Sequence, residues 1–379
     1  MRTVEGPQGP RVVIDGAEVL LLCSNNYLGL ADHPRVRRAA ADAAERYGAG
    51  AGASRLISGD MELHRTLEAH LARFKGTQAA LLFGSGYMAN LGTVAALAGE
   101  GGMVCSDELN HASIIDGCRL ARAETFVYRH CDLEHLAWGL KQHSGRSALI
   151  VTDGVFSMDG DIAPLPALAE LAGRHGALLM VDEAHGTGAI GPGGRGTVAA
   201  AGLEGVVDIV VGTLGKALGS YGAYVCTSSA LRELLINRAR PFIFSTAPPP
   251  PSVGAAIAAL GLLESRPGVV EHLRRNAAVM RSALVSYDLD VGESRTQIIP
   301  VMVGDAHRAT ALCERALEGG VFAQAIRPPT VPEGTSRLRL TVMANHRADD
   351  LQKAARVIGK AARELGLART PATHLSQAA

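Results

Sequence analysis

ALLMVDEAHGTG, residues 177–188, and DIVVGTLGKALGSYG, residues 208–222, decide how this chain folds. Each opens on a continuous apolar run and ends in polar or glycine-rich sequence. Apolar residues at successive positions, rather than alternate ones, suit a strand buried on both faces, as in a parallel sheet covered by helices. The pattern recurs outward as AALLF from Ala79, MVCS from Met103, TFVY from Thr125, ALIVT from Ala148 and AYVC from Ala223. With ALLMVD from Ala177 and DIVV from Asp208, these runs predict a seven-stranded, mainly parallel α/β sheet. Ligands of such sheets gather at the carboxyl ends of the strands. The polar residues just past each run are therefore the candidates for chemistry.

Asp182 closes one run and His185 follows it, whereas Thr213 and Lys216 lie just past the next. LLFGSGYMAN (81–90) sets Gly84, Ser85 and Gly86 between a strand and a helical pattern, where free N–H groups can meet an anion. ALIVTDGVFSMDGD (148–161) supplies Asp153, Ser157, Asp159 and Asp161, and SDELNHASIID (106–116) supplies His111. A lysine flanked by glycine and small residues, as in TLGKALG, is not placed like a surface lysine on an amphipathic helix. Held in a cleft, it can act as a Schiff-base nucleophile or a base, and a carboxylate aimed at a pyridinium nitrogen is the partner expected for pyridoxal phosphate. Any single lysine is more often structural, but Asp182, His185, Lys216 and the upstream glycine turn together point to such a site. The DEAH tetrapeptide does not mark a helicase, because no phosphate-binding G-x-x-x-x-G-K-[ST] loop precedes it.

Composition narrows the classes. Lys and Arg number 37 against 37 Asp and Glu, so no polybasic footprint for nucleic acid or anionic lipid exists. Glycine at 44 of 379 residues and aromatics at 4% favour a glycine-built small-molecule site over an aromatic recognition surface. The six cysteines, at 23, 105, 118, 131, 226 and 313, form no C-x-x-C pair and read as buried free thiols rather than a metal or redox centre. His64 and His70 do not share a helical face at i, i+4 and are expected on solvated surface, not on a metal. No signal-peptide pattern and no apolar run of about 18 residues appears, so a soluble cytoplasmic setting, without a membrane, is expected.

RVVIDGAEVLLLCS predicts a hairpin turning at Asp15-Gly16. Asp32 and Pro34, then Val36, Ala39, Ala40, Ala43 and Tyr47 at helical spacing, predict a helix from about 34 to 47. Leu63, Leu67, Leu71 and Phe74 mark another. After APPPP near Pro248 a long helical stretch, IIPVMV and SRLRLTVM predict a smaller α+β domain. The expected organisation is an N-terminal hairpin segment 1–34, a large domain 35–265 and a small domain 266–379 whose tail, RTPATHLSQAA, is disordered.

SNNYLGL (24–30), GAGASRLISG (50–59), GSGYMAN, DELNHASIIDG, DGVFSMDGDIAPL, VDEAHGTGAIGPGGRG, GTLGKALG, FSTAPPP and IRPPTVPEGTSRLRLTVMA, in this order, resemble the successive motifs of the pyridoxal phosphate-dependent α-oxoamine synthases. The resemblance runs from about residue 2 to 365 and implies a fold-type I enzyme that works as a homodimer. Within the family, GASRLISG and IRPPTVPEGTSRLRLT are most similar to the branch that joins L-alanine to a pimeloyl thioester, carried on coenzyme A or an acyl-carrier protein; a glycine acetyltransferase-like member is the alternative. The resemblance implies that Lys216 carries the cofactor and acts as base, Asp182 holds its ring nitrogen, and His111 stacks on the ring. His185 and Ser157 would contact its phenolic oxygen, and Gly86, Tyr87 and Thr213 its phosphate, with Ser245 and Thr246 from the other subunit. Arg339 would bind the amino-acid carboxylate; the spacing of Arg337 and Arg339 does not choose between them, and the motif selects Arg339. Asn25 and Thr330 would line the substrate end, and Arg2 would stand for an arginine near the acyl substrate; relatives often carry a helical segment before the first hairpin, which this sequence as given does not show. A fold-type I aminotransferase would share the lysine and aspartate, and a non-catalytic dimer partner would lack the lysine.

Overall fold

The structure, a computed structural model, describes residues 2–367. The expected disordered tail lies outside the described residues. In chain order the elements begin with β1 (Val4–Glu5), β2 (Arg11–Ile14), β3 (Ala17–Leu21), α1 (Pro34–Tyr47), α2 (Glu62–Lys75), β4 (Ala79–Phe83), α3 (Gly86–Leu97), β5 (Met103–Asp107) and α4 (Ala112–Leu120). They continue with β6 (Glu124–Tyr128), α5 (Leu133–Gln142), β7 (Ala148–Asp153), α6 (Leu165–His175), β8 (Leu178–Asp182), α7 (Thr197–Ala200), β9 (Ile209–Thr213) and β10 (Ala223–Thr227). Then come α8 (Ser229–Arg238), α9 (Arg240–Ile243), α10 (Pro250–Ser265), α11 (Gly268–Val285), β11 (Ile298–Gly304), α12 (Ala306–Glu318), β12 (Val321–Phe322), β13 (Gln324–Ile326), β14 (Ser336–Thr341) and α13 (Ala348–Glu364).

The seven expected strands form one sheet in the order β4-β10-β9-β8-β7-β5-β6. From β9 to β6 neighbouring strands are parallel; β10 runs antiparallel to both β9 and β4. Leu81, Val104, Val151, Met180, Val211 and Val225 are nearly inaccessible to water and belong to one apolar cluster. This explains their unbroken apolar runs. On the order of 2 kcal/mol per fully buried side chain of this kind makes burial, rather than strand propensity, the force that holds the sheet.

The chain divides into two compact units. One contains residues 26–157 and 161–271, with the seven-stranded sheet; the other contains residues 158–160 and the described residues before 26 and after 271. The expected N-terminal segment 1–34 is thus not a unit of its own. Its β3 pairs in parallel with β12, Leu20 opposite Val321, in a sheet ordered β1-β2-β3-β12, because the apolar Val19–Leu21 run needs a second partner to be buried. The hairpin turns at Asp15 and Gly16, with φ of 51° and 76°, as Asp-Gly favours. The remaining sheet of this unit is β11-β14-β13. Among the described residues no single helix is long and apolar enough to cross a membrane.

Candidate active site

The parallel register brings Asp153, at the end of β7, opposite Asp182, at the end of β8. Asp182 is 4% exposed; its Oδ2 accepts from Asn90 Nδ2 at 2.6 Å and its Oδ1 from the Ala184 backbone N–H at 2.7 Å. Donors at these lengths satisfy a buried carboxylate and fix its direction. Asn90 Nδ2 also donates to Ser113 Oγ at 2.9 Å, and that oxygen lies 2.7 Å from His111 Nδ1. His111 Nδ1 accepts from the Ser113 N–H as the N-cap of α4, so its ring proton belongs on Nε2. Loss of water contact, with the nearby charge of Lys216, holds this imidazole below the ordinary histidine pKa, while Asp182 pulls the other way. Burial and the Asp182 charge push the carboxyl of Asp153 well above its ordinary range; its Oδ2 accepts from the His111 N–H at 2.8 Å.

Lys216 stands in a turn closed by hydrogen bonds from Gly219 N–H to its own carbonyl and from Ser220 N–H to the Leu214 carbonyl. Gly219 has φ +59°, and a Cβ there would lie 2.4 Å from the Ala31 nitrogen. No other residue fits that position without shifting the turn. The turn brings Lys216 Nζ to 2.7 Å from His185 Nε2, and Tyr27 Oη, fully buried, is 2.7 Å from His185 Nδ1. The loop carrying His185 is secured from below by Lys75, whose Nζ donates to Thr187 Oγ1 at 2.9 Å and to the Arg195 carbonyl at 2.7 Å.

At the start of α3, Ser85 caps the helix by accepting from the Met88 N–H at 3.2 Å. A Cβ on Gly86 would come within 4.0 Å of Thr213 Cβ, so the helix N-terminus and the end of β9 adjoin. The Tyr87 side chain is exposed and its hydroxyl donates to Asp116. Thr213 Oγ1 donates to the Gly222 carbonyl and accepts from the Gly215 N–H, each at 3.1 Å. Ser157 is half-buried, as is Ser245; Thr246 is exposed and bridges to Ser54.

Asn25, Arg339, Thr330 and Arg2 belong to the other unit. Both arginines of β14 are buried, and the structure separates them as spacing alone could not. Arg337 pairs with the Asp159 carboxylate and donates from Nε to the Thr335 carbonyl at 2.9 Å. Arg339 directs Nη1 and Nη2 to the amide oxygen of Asn25, each at 3.4 Å. Thr330 is exposed, and Arg2 pairs with Glu314 on α12.

Sequence reasoning misplaced His64 and passed over three residues. His64 is fully buried: Nδ1 accepts from the Met61 N–H at the start of α2, and Nε2 meets the Pro248 carbonyl at 2.8 Å. Its partner is remote in sequence, so spacing along the helix did not reveal it; His70 pairs with Glu264. Asn90, Ser113 and Tyr27 were quoted in motifs but given no role. A lone Asn in an otherwise apolar helix start was the available signal for Asn90, since a polar group is buried at a cost unless it is bonded.

These donors fit pyridoxal phosphate. A buried, oriented carboxylate suits a protonated ring nitrogen, a lysine amine beside an imidazole suits the aldehyde carbon and its neighbouring phenolic oxygen, and a capped helix N-terminus beside a threonine suits a phosphate. The Asn90 Oδ1 atom, buried without a partner, lies on the amide that orients Asp182.

A family model for class I and II aminotransferases matches residues 17–358, and the chain belongs to that family, in its α-oxoamine synthase branch. It is 56% identical over 370 residues, 97% of this chain and 95% of the relative, to the 8-amino-7-oxononanoate synthase of Geobacter sulfurreducens. Among solved structures, a variant serine palmitoyltransferase from S. paucimobilis with a bound PLP–myriocin aldimine is similar at a TM-score of 0.94, with 36% identity covering 97% of this chain and 93% of that one. The 8-amino-7-oxononanoate synthase of Francisella tularensis is similar at 0.78, with 30% identity covering 91% and 98%.

Proposed function

We propose that the chain condenses L-alanine with a pimeloyl thioester to give 8-amino-7-oxononanoate, carbon dioxide and free thiol, a step of biotin synthesis. The observation that carries this reading is the Lys216 Nζ to His185 Nε2 pair at 2.7 Å on the same sheet edge as the buried, doubly bonded Asp182 carboxylate. Pyridoxal phosphate, attached through Lys216, supplies a sink for the electrons left when the amino acid loses a proton from Cα. Lys216 Nζ would take that proton. Asp182 keeps the ring nitrogen protonated, and Asn90 keeps Asp182 aligned. His185, oriented by Tyr27, and Ser157 would bond the phenolic oxygen side, and His111, fixed by Ser113, would lie on the ring face. The N–H groups of Gly86 and Tyr87, with Thr213, would hold the phosphate, joined by Ser245 and Thr246 of a second copy. Arg339 takes the substrate carboxylate as a planar, bidentate partner; Asn25 and Thr330 line that end, and Arg2 serves the acyl chain.

Cα then bonds to the thioester carbonyl carbon, and the carbon–sulfur bond breaks with a proton going to the thiolate. The original carboxylate leaves as carbon dioxide, and a proton replaces it at Cα. Leu56, Ile57, Tyr221 and Phe244 are large apolar side chains left 50–80% exposed, which supports a homodimer. The purified protein is to be assayed with L-alanine, glycine and L-serine against pimeloyl-CoA, pimeloyl-acyl-carrier protein, acetyl-CoA and succinyl-CoA, following thiol and ketone. L-Alanine with a pimeloyl donor is expected to give the highest kcat/KM, with some glycine turnover because one methyl group discriminates by only about 1–3 kcal/mol. A preference for glycine with a short acyl donor contradicts this substrate assignment.

A further inference from the structure

His130 follows β6 and is three-quarters buried, and no motif or function assigned above uses it. Its Nδ1 is 2.9 Å from Asp107 Oδ1, its Nε2 is 2.9 Å from Asp161 Oδ2, and the ring meets Phe156 edge-on with centroids 4.4 Å apart. Both ring nitrogens face carboxylates, so both must donate and the ring carries a positive charge. Burial alone lowers its pKa, but the bonds to Asp107, Asp161 and Cys131, with the charge of Asp107, raise it to about 12.

The two carboxylates belong to two different segments. Asp107 ends β5 and starts the turn to His111: its Oδ1 also accepts from the Leu109 N–H at 2.9 Å, and its carbonyl accepts from the Asn110 N–H at 3.2 Å. Asn110 ties that turn to β7 through the Val151 carbonyl at 2.8 Å and the Asp153 N–H at 2.9 Å. Asp161 belongs to the loop after β7, where its carbonyl accepts from the Phe156 N–H at 3.1 Å, next to Ser157. The Cys131 N–H donates to Asp107 Oδ2 at 2.9 Å. The donor atoms of Asp107, His130 and Cys131 also lie within 4.8 Å of one another, a grouping that could hold a metal ion. With both imidazole nitrogens bonded to carboxylates and Asp107 accepting three N–H groups, however, those donors are already satisfied without one.

We propose that His130 is a positioning residue, a charged strut whose imidazolium ties the turn presenting His111 to the loop presenting Ser157 and so sets both against the cofactor ring. The proposal rests on the reading of His111 and Ser157 as cofactor contacts. Without the cation, two carboxylates held on neighbouring segments face each other across a neutral group and drive those segments apart.

The test uses His130→Gln, Asp161→Asn, their combination and His111→Ala, prepared as full-length apoprotein and titrated with pyridoxal phosphate. For His130→Gln the expected result is a cofactor Kd about tenfold higher, a shifted visible absorption maximum, and kcat about tenfold lower with KM for L-alanine changed less than twofold, the size of loss seen when outer-shell partners are removed. The double variant is expected to regain part of the affinity, because one carboxylate leaves with the cation; additive losses overturn the charge role. Wild-type Kd, spectrum and kcat with only a lower Tm overturn the proposal, leaving His130 as a stabilising contact. If His130→Gln does not fold, Asp161→Asn decides, with a smaller shift in the same direction expected and none overturning. A His111→Ala spectrum like the wild type overturns the reading of His111 and this proposal with it, whereas an effect of His111→Ala without one of His130→Gln overturns the proposal alone.

Discussion

Arg337 and Arg339 occupy alternate positions of one strand, so both side chains project to the same face. The carboxylate of Asp159 neutralises Arg337, whereas Arg339 meets the amide of Asn25 at a distance that a bidentate carboxylate would shorten. If Arg339 binds the amino-acid carboxylate, Arg339→Lys keeps the charge and loses the fork, and KM for L-alanine is expected to rise about tenfold while KM for the thioester stays within twofold. Arg337→Lys is the control, expected to lower Tm through its half-buried ion pair with Asp159 and leave KM unchanged; steady-state kinetics with each substrate varied separately decides. The sequence motif distinguished the two arginines only by likeness; the Asp159 partner of Arg337, distant in sequence, was not legible there. Lys216, Asp182 and His185 were legible because each follows a buried strand, where a charge has no structural reason to sit. Tyr27, Ser113 and Asn90 were not, because their role is to bond these residues across the fold and a single polar residue in a motif does not announce its partner.

The turn after β9 shows how an element places a functional atom. Thr213, Leu214 and Lys216 are bonded back through Gly222 and Gly219, and the positive φ of Gly219 together with its approach to Ala31 excludes a side chain. Gly219→Ala is expected to cost about 1–3 kcal/mol from the strained conformation and the backbone clash, and to lower Tm measured by calorimetry. Unchanged Tm would mean that the turn adapts freely. Strands and the first helices were legible to within a residue or two: the apolar runs announced β4 to β10, and Pro34 with helical spacing announced α1 as Pro34–Tyr47. The two-residue β12 was not, since Val321 and Phe322 form a strand only because β3 offers them an edge. For the same reason the first hairpin belongs to a larger unit than its local sequence suggested.

At the scale of the whole molecule, the large sheet serves as a rigid rack whose carboxyl edge holds Asp153, Asp182 and, in the turn after β9, Lys216, a geometry that one continuous core imposes on residues far apart in sequence. Asp182, Asn90, Ser113 and His111 are bonded into one polar network on that edge, which favours one arrangement of its members over competing ones. The central claim is that this edge couples thiol release to decarboxylation of the amino acid through Lys216, and carboxyl-labelled L-alanine with pimeloyl-CoA tests it most directly. Mass spectrometry of the gas phase and titration of free thiol are predicted to show one labelled carbon dioxide per thiol with the wild type and neither with Lys216→Ala; pyruvate formation without thiol release, or undiminished turnover by Lys216→Ala, would contradict it.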